Sequence, residues 1–417
     1  MRYVLGIHVG ATRVTAAVCR ATAGPWGPPE VVPLGGAVPW LDSVLHVSAA
    51  GELLAGEAAM RMAATEPERV AFGPLRRTGD PVPYVLGEVS YPAETLAAAL
   101  IGWVADRVAD LEGAAPERIV VTHPAEWSGY RRGLLHEALD RADLPGVLAL
   151  PAPIAAAESR HAQAEVPPGG TLAVCRIGGT SVETALLRRG PRGFDLLTHA
   201  ENAECGAGAL LDDLLVRHVV ERTGTDQRDP DAMARLRSAC VVAKERLAHA
   251  REVHVTEGLA VPRAEFERLA RPVLAAAVTE LHRMLAQAPG DGVEAAVLVG
   301  GTAAVPLVRE LAETMLDCPV AVDDDPATAL ARGAAVAARP CPGPRPEPGA
   351  DAGSDAGSGS GSGELVTARH ELPAVYRDGP DDLEPPPPRP PVEVTPLEPP
   401  KRTLSLRRKD SRGEDRR

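Results

Sequence analysis

Three short glycine turns, each beside a hydroxyl residue, are the segments whose residue types best suit chemistry. They are Gly10-Ala11-Thr12, Gly178-Gly179-Thr180-Ser181 and Gly300-Gly301-Thr302. Because glycine has no Cβ, backbone N–H groups in such turns can approach a phosphate group closely. We therefore interpret the three turns as candidate nucleotide-binding segments, with a role in fold geometry alone as the alternative.

Three basic residues are candidates for contact with the same ligand. His8 and Arg176 each stand two residues before a turn, and Lys244 lies in a segment of helical pattern. The arginine fork matches phosphate geometry, so Arg176 is a possible phosphate contact, as is His8. The alternatives are a partly buried strand histidine at His8, an ion pair with Glu183 at Arg176, and a solvated helix face at Lys244.

The elements that must position these turns alternate between strands and helices. Residues 3–18 and residues 171–187 both follow a strand, glycine turn, strand pattern, and residues 295–306 read as a buried strand that leads through the third turn into a helix. Pro92 and Gly113 bracket another helical stretch, and Ser128 is placed to cap a further one. This patterning predicts the α/β class.

The repeated hairpin divides the folded part of the chain into two similar lobes. We predict lobe I over residues 1–168 and lobe II over residues 169–339, with the two lobes facing one cleft. Residues 340–417 are rich in Pro, Gly and Ser and include the run PPPPRPP. Such a segment buries too little apolar surface to offset its ordering entropy, so we predict a disordered tail.

Composition and charge exclude several classes of function. The formal net charge is −13, and because residues 401–417 carry +5, the remainder carries −18. An acidic body argues against nucleic acid as a partner. Apolar runs of membrane-spanning length and a secretory leader are both missing from the sequence, so we predict a cytoplasmic protein without a membrane span.

Six blocks of sequence resemble the nucleotide-binding domain of DnaK-type heat-shock 70 kDa chaperones. In chain order they read GIHVGATRV, VVTHPAEW, CRIGGTSVE, LRSACVVAKERL, VLVGGTAAVP and DDPATALARGAAVAA. The resemblance implies a two-lobed, actin-like ATPase fold of the ribonuclease H-like type, with ATP or ADP as ligand. It also implies that the three glycine turns contact the phosphates and the adenosine side of the nucleotide, and that Lys244 lies on the adenosine side.

The catalytic residues of that family do not carry over. The family has aspartates where this chain has His8 and Arg176, a glutamate where Ala152 precedes Pro153, and a lysine near Leu75 or Arg76. The family's acid after the second turn is retained as Glu183, and the positions on the adenosine side that differ are Val241, Glu245, Ala248 and Ala304. Because carboxylates hold Mg²⁺ and orient the attacking water, these losses argue against a metal site and predict a pseudo-ATPase with no catalytic residues.

Three functions remain open on the sequence. The first is a chaperone-like, ATP-binding switch with weak or lost hydrolysis. The second is a catalytically dead scaffold that binds a protein partner through its lobes and Pro-rich tail. The third is a sugar-kinase-like transferase of the same superfamily, for which the sequence offers no convincing base. No β-rich peptide-binding domain is expected after the tail.

Overall fold

The computed structural model describes residues 2–21, 25–36, 38–205, 207–288 and 292–340. The predicted disorder of the tail falls on residues 341–417, which lie outside the described residues. Within the described part, the α/β class is confirmed.

Strands and helices alternate along most of the described chain. The strands are β1 Arg2–Val9, β2 Arg13–Ala21, β3 Glu30–Val31, β4 Trp40–Asp42, β5 Val44–Val47, β6 Leu53–Ala55, β7 Val70–Phe72, β8 Tyr84–Leu86, β9 Val89–Tyr91, β10 Ile119–His123, β11 Leu148–Pro151, β12 Thr171–Ile177, β13 Val182–Gly190, β14 Gly193–Asn202, β15 Glu252–Thr256, β16 Leu259–Pro262, β17 Ala295–Val299 and β18 Val320–Val322. The helices are α1 Glu57–Met62, α2 Ala93–Glu112, α3 Gly129–Arg141, α4 Ala152–Gln163, α5 Ala207–Thr223, α6 Pro230–Leu247, α7 Arg263–Leu285, α8 Pro306–Met315 and α9 Ala329–Ala337.

Two larger sheets share one strand arrangement. The first sheet runs β11-β10-β1-β2-β3, with β4 also paired to β2, and the second runs β18-β17-β12-β13-β14. In each sheet a hairpin of antiparallel strands (β1–β2 or β12–β13) lies beside two parallel strands. The same architecture therefore occurs twice, as the repeated hairpin pattern of the sequence indicates.

Helices α4 and α9 pack between the two sheets. A cluster of buried side chains joins both helices to β1 and β2 of the first sheet and to β12, β13 and β17 of the second. Helix α9 lies so close to β1 that a Cβ added to Gly6 would stand 2.1 Å from Ala335 N. Small residues in this core thus allow α9 to approach β1 at backbone distance.

Local signals in the sequence place most helix ends correctly. Helix α2 follows Pro92 and ends at Gly113, which adopts φ +71°, a conformation that glycine accepts without strain. Helix α3 follows Ser128, but the serine side chain makes no capping hydrogen bond, so that part of the prediction is wrong. Asp229, by contrast, caps α6 by accepting from two backbone N–H groups.

Within the described residues, the search for a helix with both the length and the apolar character needed to cross a bilayer finds none.

Candidate functional site

The carboxyl ends of the central strands bring the first two turns and the basic residues to one place. Parallel strands β1 and β10 pair His8 with Thr122, and β12 places Arg176 opposite both Glu183 and Val299. The carboxyl ends of parallel strands meet at one edge of a sheet, where ligands of α/β proteins commonly bind. The site is therefore formed where the corresponding edges of the two sheets face each other.

The three glycine turns converge, as the sequence analysis predicts. A Cβ added to Gly179 would lie 2.7 Å from Thr12 Oγ1, so the first and second turns touch. Thr302 Oγ1 donates to Gly178 O at 3.1 Å, which joins the third turn to the second. Gly300 takes φ +94°, and a Cβ there would stand 2.5 Å from Ile177 O. Glycine is thus required at these positions by close approach of the backbone.

Arg176 lies beneath the second turn and forms a buried ion pair with Glu183. Its Nε donates to Glu183 Oε2 at 2.9 Å, and the two side chains are only 12% and 2% exposed. Glu183 Oε1 also accepts from Ala125 N at 2.8 Å, so both oxygens of this carboxylate are engaged. Of the two alternatives that the sequence leaves open for Arg176, the ion pair is the one present.

Arg76 extends this ion pair into a network that joins the two sheets. It lies in the short 3-10 helix Pro74–Arg77, close to the first turn. Its guanidinium donates to Thr180 Oγ1 at 2.9 Å, to Ser181 Oγ at 3.0 Å and to Glu201 Oε1 at 3.1 Å. The hydroxyl groups of the second turn are therefore held by an arginine.

A second bridge crosses the cleft from the first residue of β2. Arg13 donates to Asp42 of the first sheet, and its Nη2 lies 2.9 Å from Glu245 Oε1 on helix α6. Glu245 is one of the positions at which the sequence departs from the chaperone pattern. Two arginine bridges, Arg13 to Glu245 and Arg76 to Glu201, therefore connect the two halves of the fold.

A small cavity lies beside the first turn, at the carboxyl ends of β1 and β10. It has a volume of about 20 Å³ and is lined by His8, Gly10, Thr122 and His123, together with Arg76, Arg176 and Glu183. A volume of this size holds about one water molecule. The lining of the cavity includes Gly10 and Ala11 of the first turn and no residue of the second or third turn.

Both histidines beside this cavity are neutral near pH 7. His8 Nδ1 lies 2.7 Å from Thr122 Oγ1, and burial, with the charge of Arg176, lowers the pKa of His8 to about 3. His123 donates from Nδ1 to Pro124 O at 2.7 Å, and burial lowers its pKa to about 4. His8 is therefore a neutral group rather than a phosphate-facing cation in this arrangement.

Because the pKa of His123 is lowered in the folded chain, we expect the free energy of unfolding to fall in acid. An unfolded histidine titrates near 6.5, so between pH 6.5 and pH 4 the unfolded chain binds a proton that the folded chain does not. Stability is then lost as the pH falls, and His123 alone should remove about 2 kcal/mol from the free energy of unfolding between pH 7 and pH 5. Urea titrations of the wild type and of His123→Gln at both pH values measure this difference; an equal loss in the variant would contradict it.

Lys244 contacts helix α5 rather than open solvent. Its Nζ lies 2.8 Å from Asp212 Oδ1 and donates to Gly208 O at 3.1 Å. Gly208 N in turn donates to Gly178 O at 3.0 Å. The solvated-face alternative for Lys244 is therefore wrong, and two successive hydrogen bonds, through Gly208, connect the lysine to the second turn.

Four residues of this site were not predicted as site residues from the sequence. Thr122 and His123 end a buried strand, and the rule that parallel strands present their carboxyl ends at one edge points to them. The sequence analysis names Arg76 only as one of two positions near which the family has a lysine. Glu201 carries no signal of its own, because it reaches the site only through its pairing with Glu183 across β13 and β14.

The described residues contain no cluster of three or more His, Cys, Asp or Glu side chains placed to hold a metal ion. The two carboxylates nearest the turns, Glu183 and Glu201, each already accept from an arginine.

Two matching sheets that meet at three glycine turns define an α/β protein of the actin-like ATPase class. The family model described as "Hsp70 protein" matches residues 76–343. The chain belongs to the Hsp70 family.

Two archaeal relatives give the extent of the similarity. The chain is 25% identical over 366 residues to the chaperone protein DnaK of Nitrosopumilus maritimus (strain SCM1), covering 81% of this chain and 56% of that protein. It is 26% identical over 365 residues to the chaperone protein DnaK of Cenarchaeum symbiosum (strain A), covering 81% and 54%. The chain thus spans little more than half the length of these relatives.

Proposed function

We propose that this chain binds ATP or ADP between its two main sheets and acts as a chaperone-like, nucleotide-dependent switch with weak or lost hydrolysis. The observation that carries this proposal is the pair of arginine bridges across the convergent turns. Polyphosphate oxygens can replace Thr180 and Glu201 as partners of Arg76, because guanidinium pairs as well with phosphate as with carboxylate. Nucleotide binding would then exchange contacts between the sheets for contacts with the ligand.

Opening of the cleft follows from the size of the ligand. Small-molecule sites are usually about 300–1,000 Å³, whereas the cavity at the turns holds about 20 Å³. Arg76 lines this cavity and bridges to Glu201, so we infer that this bridge breaks when a polyphosphate enters. A ligand that binds only the open arrangement shifts the population toward it, which is the basis of a switch.

Loss of hydrolysis is inferred from the same contacts. Mg²⁺ needs carboxylate or water oxygens that are free to coordinate it, and the oxygens of Glu183 are taken by Arg176 and Ala125 N. The neutral His8 and the cationic Arg176 occupy the positions of the family's aspartates. We infer that any nucleotide is held by direct contacts to its phosphates, without the metal on which hydrolysis depends.

A thermal-unfolding series tests this function. ADP or ATP at about 100 times its dissociation constant should stabilise the fold by about 2.7 kcal/mol, which corresponds to about 4 °C for a domain of this size. We expect the shift to persist in EDTA, to be absent with adenosine, and to occur without measurable phosphate release. A shift that requires Mg²⁺, or magnesium-dependent turnover by the purified chain, would contradict the proposal.

Glu245→Gln separates opening of the cleft from contact with phosphate. Glu245 bridges to Arg13 but belongs to no glycine turn, so the variant should make opening easier and tighten nucleotide binding about two- to fivefold, as expected for loss of a partly exposed pair. Glu137→Gln, which removes an exposed pair on α3, is the matched control. Unchanged affinity in Glu245→Gln would argue against a closed cleft that must open.

The second candidate is a scaffold that binds protein partners and no nucleotide. The bridges from Arg13 to Glu245 and from Arg76 to Glu201 favour it, since they join the sheets through protein contacts. The same titration separates the two functions: a complete lack of stabilisation by nucleotide at millimolar concentration favours the scaffold.

A further inference from the structure

A second cavity, of about 140 Å³, lies where helix α4 passes strands β17 and β18 beside the start of α9. Its lining shares no residue with the cavity at the glycine turns. The apolar part of its wall includes Val297 and Val299 of β17, and the polar part includes Ser159, Arg160 and Asp323. We call it the α4 cavity.

Arg160 lacks a partner in this cavity. Its guanidinium makes no hydrogen bond or ion pair with any described residue, and its Nε is buried without a partner. Ser159, the neighbouring residue on α4, is only 3% exposed, and among the described residues its hydroxyl also finds no hydrogen-bond partner. Buried polar groups are normally satisfied, and although the Arg160 side chain is only partly buried, its Nε atom is shielded from solvent. Two adjacent unsatisfied donors therefore indicate a missing acceptor.

Asp323 does not supply that acceptor, because its carboxylate is already engaged. It pairs with Arg332 at 2.5 Å, accepts from Gln163, and accepts from Asp325 N at 3.0 Å. The charges of Asp323 and Arg332 cancel locally. The remaining charge at the cavity wall is the single positive charge of Arg160, which calls for a monoanion.

The volume and the lining of the cavity limit the size and the chemical character of the uncharged part of the ligand. An apolar cavity of about 150 Å³ holds a molecule the size of benzene. Val297 and Val299 present a branched aliphatic wall, since alternate residues of β17 face α4 and α9. A short, branched aliphatic group fits this wall, and a carboxylate at its other end matches the guanidinium fork and the hydroxyl.

We propose that the α4 cavity is a binding site for a small aliphatic monocarboxylate, with Arg160 and Ser159 holding the carboxylate and β17 holding the hydrocarbon. This site is separate from the nucleotide cleft and does not depend on the function proposed for it.

Isovalerate is the probe, and neutral isovaleramide, which has the same shape, is the control ligand. We expect saturable binding of isovalerate to the full chain by calorimetry and by ligand-observed NMR, with the amide at least tenfold weaker. Arg160→Gln and Ser159→Ala should each weaken isovalerate binding, the former at least tenfold, whereas Arg141→Gln on the exposed face of α3 should leave it unchanged.

A cavity-filling variant tests the hydrocarbon end. Ala321→Leu places extra volume in the cavity wall from β18 and should reduce binding without altering the charge. Equal binding of isovalerate and isovaleramide to the wild type would overturn the proposal, even if Arg160→Gln failed to fold. Lack of isovalerate binding at 10 mM, or full binding by Arg160→Gln, would overturn it as well.

Discussion

Replacing Arg176 by methionine is expected to lower the free energy of unfolding by about 3–5 kcal/mol, because it leaves the buried carboxylate of Glu183 without its partner. Glu183 is 2% exposed on its side chain, so water cannot take the place of the guanidinium. Urea denaturation of the wild type and the variant at pH 7 measures the difference.

Neutralising both partners should recover most of this loss. In Arg176→Met/Glu183→Gln the amide oxygen can still accept from Ala125 N, and no buried charge remains. Arg141→Met is the matched control, because Arg141 pairs with Glu137 at the surface, where the two side chains are 65% and 67% exposed. That variant should cost less than about 1 kcal/mol. A cost below about 1 kcal/mol for Arg176→Met would contradict the prediction and mean that water or another donor takes the place of the guanidinium.

The buried pair also explains how the fold accommodates an arginine at position 176. An arginine inside a strand needs a carboxylate partner, and the register of β12 with β13 places Glu183 directly opposite. The hairpin therefore stabilises the charge by itself. Both oxygens of the carboxylate are engaged, by Arg176 and by Ala125 N, which supports the proposal that a nucleotide binds without a metal.

The secondary structure and the meeting of the second and third turns were accessible from local patterns in the sequence. The strand, glycine, strand pattern of residues 3–18 is sufficient to predict β1 and β2, and Pro306 is sufficient to predict the start of α8. The parallel strands β12 and β17 must bring the turns that follow them to one edge of a sheet. The approach of the first turn to the second joins two sheets, and its prediction depended on the repeated hairpin and on the resemblance to the family.

The contacts that close the cleft were not accessible in the same way. Arg76 and Glu201 are separated by 125 positions, and Arg13 and Glu245 by 232. Each pair depends on how the two sheets face each other, which no local pattern specifies. Arginine and glutamate are also common surface residues, so neither pair differs from the solvated charges around it until the packing of the sheets is known.

The packing of α9 leads to the second large expected effect, at Gly333. Helix α9 crosses α4 so closely that a Cβ at Gly333 would stand 1.7 Å from Ala155 O and 2.5 Å from Ala155 C. These are backbone atoms, so rotation of a side chain cannot relieve the overlap. Gly333→Ala should therefore lower the free energy of unfolding by about 3 kcal/mol or more, the upper range for overpacking, despite the better helix propensity of alanine.

The same substitution at Gly133 should have the opposite sign. Gly133 lies within α3, and a Cβ added there would meet no atom within 4 Å. Gly133→Ala should therefore raise the free energy of unfolding by about 0.5–1 kcal/mol through helix propensity alone. Urea denaturation of the two variants beside the wild type measures both signs in one experiment. If Gly333→Ala were as stable as Gly133→Ala, helices α4 and α9 could separate freely. The core that joins the two sheets would then be looser than their backbone contact requires, and the arginine bridges alone would have to hold the cleft closed.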